Sequence, residues 1–196
     1  MAEIRKTEDR RVKRTKKVLK DCLFELLESK TIDEITVKEL TEKADVNRST
    51  FYFYYKDIND MMMQIQNEIF EVFHETVIAK STLFITVEDF TDYILRFLHF
   101  CKEYEKICKF VISNDPNNFL SKKIRATLLK HIPDSAKVFD AEDPKHYLTC
   151  FAVSAMWETV IQWMYEGMKA DPDEMADFMA KVYFYGGRTL LSQKND

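Results

Sequence analysis

The sequence predicts an all-α protein. Three Asp-Pro pairs, at 115–116, 143–144 and 171–172, each place an N-cap carboxylate before a proline at the first helical position. Elsewhere apolar residues recur at the i, i+3, i+4, i+7 spacing of amphipathic helices, and strand-like alternation is limited to a weak patch at 32–37. Glycine occurs only at 167, 186 and 187, which excludes the glycine loops of P-loop and dinucleotide-binding proteins.

This punctuation and spacing predict nine helices. Helices 1 to 4 are expected at about 8–29, 37–43, 48–54 and 58–79. Helices 5 to 9 are expected at about 87–101, 103–113, 116–131, 144–168 and 172–192. No Gly-, Ser- or Pro-rich linker interrupts helix 4, so a small domain of residues 1–57 is predicted to pass directly into a larger one of residues 58–196.

Charge is unevenly distributed along the chain. Residues 1–20 contain nine Lys and Arg against three acids, whereas the whole chain has a net charge of -4. A basic end on an acidic body favours a nucleic-acid binder with a second module, although a solvated basic helix is an equal alternative. Neither a signal peptide nor a membrane span is indicated, and Cys22, Cys101, Cys108 and Cys150 form no CxxC pair. These features predict a cytoplasmic protein with buried thiols.

Residues 36–55 have the pattern of a helix-turn-helix. Thr36 and Glu39 have the spacing of a capping box at the start of helix 2, and Asn47 is placed to cap helix 3. Leu40 and Ala44 are expected to face inward, with Phe51 as the core anchor of helix 3. Helix 3 of a helix-turn-helix can lie in the DNA major groove.

The remaining side chains of helix 3 suit DNA. Arg48 can pair with guanine or bind phosphate, and the hydroxyl groups of Ser49, Thr50, Tyr52 and Tyr54 can donate to phosphate oxygens. Phe53 can contact a thymine methyl group. The alternative, a purely structural aromatic cluster, is expected to hold for Phe51 and Tyr55 only, since a seven-residue helix cannot bury its whole circumference in a three-helix module.

At these residues the chain resembles the DNA-binding domain of the TetR family of bacterial transcriptional regulators, over roughly residues 10–62. The matching positions are Thr36, Val37, Leu40, Ala44, Val46, Ser49, Thr50, Phe51, Tyr52, Tyr54, Tyr55 and Asp57. The resemblance implies backbone or groove-edge contacts from helix 2 and base or phosphate contacts from helix 3. The predicted DNA-binding residues are Thr36, Lys38, Asn47, Arg48, Ser49, Thr50, Tyr52, Phe53 and Tyr54.

Two positions depart from the family pattern. The usual glycine of the turn is Asp45, which tolerates left-handed backbone less well than glycine but better than most residues. The usual lysine near the start of helix 4 is Ile58, so one phosphate contact is expected to be missing. Basic side chains of the N-terminal stretch can offset this loss; they are Arg5, Lys6, Arg10 and Arg11.

Helices 8 and 9 are predicted to form a homodimer interface. Helix 8 is apolar nearly all round and therefore needs two partners, and a Gly pair inside helix 9 suggests that a neighbouring helix packs closely there. The resemblance likewise implies a four-helix interface between two copies; a large monomeric core is the alternative. The predicted interface residues are Met156, Val160, Trp163, Val182, Gly186 and Gly187.

The aromatic and Met-rich stretch 58–170 suggests a pocket for an apolar or aromatic small molecule, although such residues are more often plain core. The candidate ligand-binding residues are Phe73, Phe97, Phe110, Phe151, Trp157 and Met164. No cofactor and no metal site are expected, since the four histidines lack HxH or HxxxH spacing. Cys101 and Cys108 lie two turns apart, which permits a redox switch but favours buried, inert thiols.

Together these features predict a ligand-responsive transcriptional regulator. The leading hypothesis is a repressor released from a palindromic operator when an effector binds and helix 4 swings. The alternative is a TetR-like co-regulator that acts through a protein partner. An all-α enzyme is disfavoured because no Ser/His/Asp arrangement or metal-spaced cluster is evident.

Overall fold

The computed structural model describes residues 10–80, 86–114, 119–131 and 144–188. Within these ranges the chain forms nine α-helices and no strand, which confirms the all-α prediction. The helices are α1 (Arg10–Leu27), α2 (Val37–Lys43), α3 (Arg48–Tyr54), α4 (Ile58–Phe73), α5 (Val87–Glu103), α6 (Glu105–Asn114), α7 (Phe119–His131), α8 (Pro144–Tyr165) and α9 (Pro172–Lys181). A 3-10 turn spans Ile32–Glu34, and α4 and α9 continue as the π-helical segments His74–Ile78 and Val182–Arg188.

Helix ends follow local chemistry. Asp171 caps α9 as predicted, because its carboxylate accepts from the backbone N–H groups of Asp173 and Glu174. The other two expected caps, Asp115 and Asp143, lie outside the described residues.

Helix α8 ends three residues earlier than the sequence predicts, at Tyr165. Gly167 and Met168 both adopt left-handed backbone, with φ of 80° and 55°. The N–H of Met168 donates to the Trp163 carbonyl at 2.8 Å, and that of Gly167 to the Met164 carbonyl at 3.1 Å. This paired bonding is a Schellman motif, which ends a helix.

The chain divides into two compact units, Met1–Gln66 and Asn67–Asp196. In the smaller unit α1 packs on α2, and α2 on α3. Its fully buried apolar side chains are Leu19, Leu23, Leu40, Phe51 and Met61. The functional division into residues 1–57 and 58–196 stays a prediction.

In the larger unit α5 packs along α9, and α7 along α8. Aromatic side chains fill much of its core: the Phe90 ring lies 4.8 Å from that of Tyr183, and the Phe73 ring lies 5.9 Å from Phe97 and 5.5 Å from Phe100. This unit contains the cleft and the exposed apolar face described below.

Candidate nucleic-acid interface and ligand cleft

The turn between α2 and α3 is held by backbone hydrogen bonds. The N–H of Val46 donates to the Thr41 carbonyl at 3.0 Å, and that of Ala44 to the Leu40 carbonyl at 2.9 Å. Asp45 adopts left-handed backbone with φ of 51°, which confirms that this residue takes the place of the usual turn glycine. Leu40 and Ala44 are buried, as expected of the inward face of α2.

Side chains cap both helices of the motif. The Thr36 hydroxyl accepts from the Glu39 N–H at 3.2 Å, but the Glu39 carboxylate pairs with Lys30 instead of completing the predicted capping box. Asn47 caps α3 as predicted, since its Oδ1 accepts from both the N–H and the hydroxyl of Ser49 at 2.9 Å. The start of α3 is therefore fixed before any ligand binds.

Asn47→Ala should lower the free energy of unfolding by about 1 kcal/mol, because the Ser49 N–H loses its acceptor. Asn47→Asp retains that acceptor and serves as the matched control. Chemical denaturation followed by circular dichroism measures both variants. Equal destabilisation by the two changes would show that the cap is not the source of the effect.

The aromatic run of α3 divides between core and surface. Phe51 and Tyr55 are 0% and 2% exposed, which confirms their predicted core role, whereas Tyr52 and Phe53 are 57% and 80% exposed. Tyr54 is half-buried, with the Phe53 ring edge-on to it at 5.0 Å. The outer side of α3 thus presents large side chains that are not packed in the core of the smaller unit.

Polar and charged groups surround these aromatic side chains. Thr36, Lys38 and Ser49 are exposed and Thr50 is half-buried. The Arg48 guanidinium lies 3.9 Å from the Glu42 carboxylate, and both side chains are more than half exposed. Such a pair contributes little to stability, so Arg48 can exchange Glu42 for a nucleic-acid partner at small cost. Direct contact of the predicted residues with DNA stays a prediction.

Two lysines near α3 were not singled out from the sequence. The Lys16 ammonium lies 5.5 Å from the centre of the Tyr54 ring, which places a basic group of α1 beside α3. Ile58 is only 5% exposed, so no polar group replaces the usual lysine there, but Lys56 is exposed two residues earlier. The basic stretch 13–20 and the position of Lys56 before α4 were the available sequence signals. Arg10 and Arg11 are exposed, and Arg5 and Lys6 lie outside the described residues.

An apolar cleft in the larger unit lies between α5, α6, α7 and α8. The cavity within it is small, about 40 Å³, and it opens to solvent. We call it the α5–α8 cleft; its lining residues are Phe97, Phe100, Cys101, Cys108, Leu120, Ser121, Ile124, Trp157, Val160, Ile161 and Met164. The rings of Phe97 and Trp157 stack in its wall with centroids 6.4 Å apart.

The six candidate ligand-binding residues are not all at this cleft. Phe97, Trp157 and Met164 line it. Phe73 is fully buried behind the wall, against Phe97 and Phe100. Phe110 is half-buried on α6 and is not among the lining residues. Phe151 is 70% exposed on a different surface of the unit, and its role in ligand binding stays a prediction.

An exposed apolar face is formed by α8 together with α9 and its π-helical continuation. We call it the α8–α9 face and define it by Phe151, Ala155, Met156, Thr159, Phe178 and Val182, which line one shallow groove. Phe151, Phe178 and Val182 are 70%, 65% and 54% exposed. Adjacent apolar side chains with this exposure indicate an interaction surface rather than a protein core.

The predicted dimer-interface residues do not all lie on this face. Met156 and Val182 lie on it, but Val160 and Trp163 are each only 3% exposed and belong to the core of their own chain. The Trp163 indole N–H donates to the Ala170 carbonyl at 3.0 Å. Because α8 is apolar nearly all round, its periodicity does not show which side faces outward.

Gly186 lies in the π-helical segment that follows α9, and a Cβ built on it would meet nothing within 4 Å. No close neighbour of Gly186 therefore lies within the described part of this chain. Gly187 is the next residue of the same segment.

No helix in the described ranges is both long and apolar enough to cross a membrane. Among the same residues, no three His, Cys, Asp or Glu side chains come together as potential metal ligands.

Known proteins share both the fold and parts of the sequence. A family model described as the transcriptional regulator C-terminal region of TetR type matches residues 88–184. An uncharacterised HTH-type transcriptional regulator of Bacillus subtilis, YxbF, is 36% identical over 63 residues, which cover 28% of this chain and 17% of that relative.

Solved structures agree over nearly the whole chain. A TetR transcriptional regulator from Streptococcus agalactiae superposes with a TM-score of 0.61 at 21% identity, covering 89% of this chain and 96% of the other. NalD, the secondary repressor of a multidrug efflux pump in Pseudomonas aeruginosa, superposes with a TM-score of 0.66 at 11% identity, covering 91% and 98%. At these identities the likeness concerns the fold.

A capped helix-turn-helix on a small helical unit, followed by a larger helical unit with an apolar cleft, defines a transcriptional regulator of the helix-turn-helix class. The chain belongs to the TetR family. Its relatives and structural neighbours are transcriptional regulators rather than enzymes.

Proposed function

We propose that this protein is a homodimeric repressor that binds a palindromic operator through α3 and is released from it by an apolar or aromatic small molecule. The observation that carries the proposal is the exposure of Tyr52 and Phe53 on a helix whose start is fixed by Asn47. Large aromatic side chains exposed next to each other on one helix favour contact with a partner. Residues 1–57 bind DNA in this proposal, and residues 58–196 bind the effector and the second subunit.

The α8–α9 face supports the dimer. A single helix-turn-helix contacts few base pairs, and dimers place two of them at half-sites about 34–36 Å apart, or a multiple of that distance. The exposed side chains of Phe151, Phe178 and Val182 provide an apolar surface that a second copy can cover, and Gly186 allows close backbone approach beside it.

The α5–α8 cleft supports the effector class. Apart from the Ser121 hydroxyl and two thiols, its wall consists of aliphatic and aromatic side chains, which favour an apolar or aromatic molecule.

The chain passes between the two units once, at residues 66 and 67 within α4. We assign α4 the transmission of effector binding to α3. A regulator that binds the chromosome in this way acts in the cytoplasm, and the proposal requires no cofactor and no catalytic step.

Fluorescence anisotropy with a labelled duplex from the protein's own promoter region tests DNA binding. We expect specific binding that weakens steeply with salt, with a log-log slope of about -0.9 for each phosphate contacted. Binding that is absent or independent of salt would overturn the proposal. Absent DNA binding together with a stoichiometric protein partner in native pull-downs would favour the co-regulator alternative.

Arg48→Ala should relax sequence preference at one base pair of each half-site and weaken specific binding by about 1–3 kcal/mol. The physical reason is the loss of a bidentate donor to guanine. Anisotropy titrations with single-base operator variants measure the effect, and Lys38→Ala serves as a comparison for a groove-edge or phosphate contact. If Arg48→Ala weakens all duplexes equally, Arg48 contacts phosphate instead of a base.

A further inference from the structure

Acidic side chains occupy the start of α4. The Asp57 carboxylate accepts from the Asp60 N–H at 2.7 Å, and the Asp60 carboxylate accepts from the Lys56 N–H at 2.9 Å. Ile58, between them, is 5% exposed and adds no positive charge. Backbone N–H groups at a helix start attract a phosphate when they are open to it. Here carboxylates already hold these groups, so the backbone at this end of α4 is not available to a DNA phosphate.

Helix α1 carries four lysines along one side. They occupy positions 13, 16, 17 and 20, the i, i+3, i+4, i+7 spacing that places side chains on one face of a helix. We call them the α1 lysine stripe: Lys13 and Lys17 are exposed, and Lys16 and Lys20 are half-buried. Like charges three and four residues apart destabilise a helix, and a bound polyanion relieves that repulsion.

Lys16 places this stripe next to the outer side of α3. Its ammonium lies 5.5 Å from the centre of the ring of Tyr54, the last residue of α3. The face of an aromatic ring attracts a cation at this distance, which holds the long Lys16 side chain toward α3. The Tyr54 ring in turn contacts the ring of Phe53, which is 80% exposed. The stripe and the exposed aromatic side chains of α3 therefore adjoin within the smaller unit.

We propose that the α1 lysine stripe binds the phosphate backbone of DNA beside each half-site, and that Lys16, positioned by Tyr54, makes the phosphate contact that the start of α4 does not make. The inference rests on the DNA-binding function proposed above and adds α1 to the elements on which binding depends. Its ligand is the phosphodiester group of duplex DNA, whatever the base attached to it.

The salt dependence of operator binding tests this contact. Lys16→Gln keeps most of the side chain and removes its charge, so we expect the log-log slope of affinity against salt to become shallower by about 0.9 for each subunit. The loss of affinity should be equal for operators that differ by one base pair, because a phosphate contact carries no sequence information.

Arg14→Gln is the matched control for the lost charge. Arg14 is exposed on α1, about 200° around the helix from Lys16, so its replacement should leave the slope unchanged. An unchanged slope for Lys16→Gln, or equal losses for the two variants, would overturn the inference while leaving the proposed function in place. If the unmodified chain binds no duplex, the proposed function fails and this inference fails with it.

A duplex with a single neutral phosphate locates the contact. A methylphosphonate replaces one charged phosphate oxygen by a methyl group, and scanning it along both operator strands should reveal positions at which the unmodified chain binds more weakly. We expect one such position in each half-site to lose its effect in the Lys16→Gln protein, since the partner of that phosphate is already absent. If every sensitive position stays equally sensitive in the variant, Lys16 does not contact a phosphate.

Two substitutions of Tyr54 test its positioning role. Tyr54→Phe retains the ring face and should retain the salt slope, whereas Tyr54→Leu removes the ring and should reproduce the shallower slope of Lys16→Gln. Circular dichroism establishes that both proteins are folded. A folded Tyr54→Leu protein with the slope of the unmodified chain would overturn the positioning role of Tyr54.

Discussion

Phe51→Ala is expected to destabilise the smaller unit by about 3–5 kcal/mol and to abolish DNA binding through loss of folding. Phe51 is fully buried beneath α3, with the Tyr55 ring 5.4 Å away, so the truncation leaves a cavity at the centre of the three-helix module. Both tryptophans, Trp157 and Trp163, lie in the larger unit. Tryptophan fluorescence therefore follows that unit alone, while circular dichroism follows both.

In urea, Phe51→Ala should separate these two signals, with loss of ellipticity at lower denaturant than the change in fluorescence. Phe53→Ala is the matched control, because its side chain is 80% exposed. It should change stability by no more than about 0.5 kcal/mol and yet weaken operator binding. If the Phe53→Ala protein binds the operator normally, Phe53 is not part of the DNA interface. If the Phe51→Ala protein is as stable as the unmodified chain, Phe51 is not the core residue assigned here.

Phe178→Glu should convert the proposed dimer to a monomer. Phe178 is 65% exposed on the α8–α9 face, and a carboxylate at the centre of an apolar interface would be buried without a partner. We expect dimerisation to weaken by about 2 kcal/mol or more, which is about thirtyfold in Kd. Sedimentation velocity over a dilution series measures the change, and operator affinity should fall with it, since each monomer carries one α3.

Phe119→Glu is the control for this substitution. Phe119 is 53% exposed on α7 and outside the α8–α9 face, so the same change of chemistry there should leave the dimer intact. Phe151→Glu, on the face itself, should repeat the effect of Phe178→Glu. If Phe178→Glu and Phe119→Glu sediment alike as dimers, another surface forms the interface. If the unmodified chain is itself a monomer at micromolar concentration, the dimer proposal fails.

Much of the smaller unit followed from the sequence because its signals are local. A polar cap such as Asn47 acts on backbone groups two residues away, and the left-handed turn at Asp45 is a property of one residue and its neighbours. The bounds of α2 and α3 are therefore as predicted. The division of the aromatic run into buried Phe51 and Tyr55 and exposed Tyr52 and Phe53 also followed, since a short helix has one inward side.

Where local signals compete, the prediction was less complete. Thr36 and Glu39 have capping-box spacing, but an ion pair with Lys30, nine positions away, takes the Glu39 carboxylate. Helix 4 was expected to be one regular helix, and its last turn is π-helical from His74. The residue spacing predicts neither the Lys30–Glu39 ion pair nor the π-helical turn at His74, because both depend on contacts that form only in the folded protein.

The sequence by itself determined the helical class, the helix-turn-helix and the family, since these rest on caps, spacing and a motif of adjacent residues. Only the tertiary structure decided which side of α8 is covered. Val160 and Trp163 are buried in the core, whereas Phe151 is 70% exposed. The physical reason is that a helix apolar on all sides has no preferred face of its own, so packing against α5, α6 and α7 selects one. The same packing forms the α5–α8 cleft from residues of four helices that are distant in the sequence.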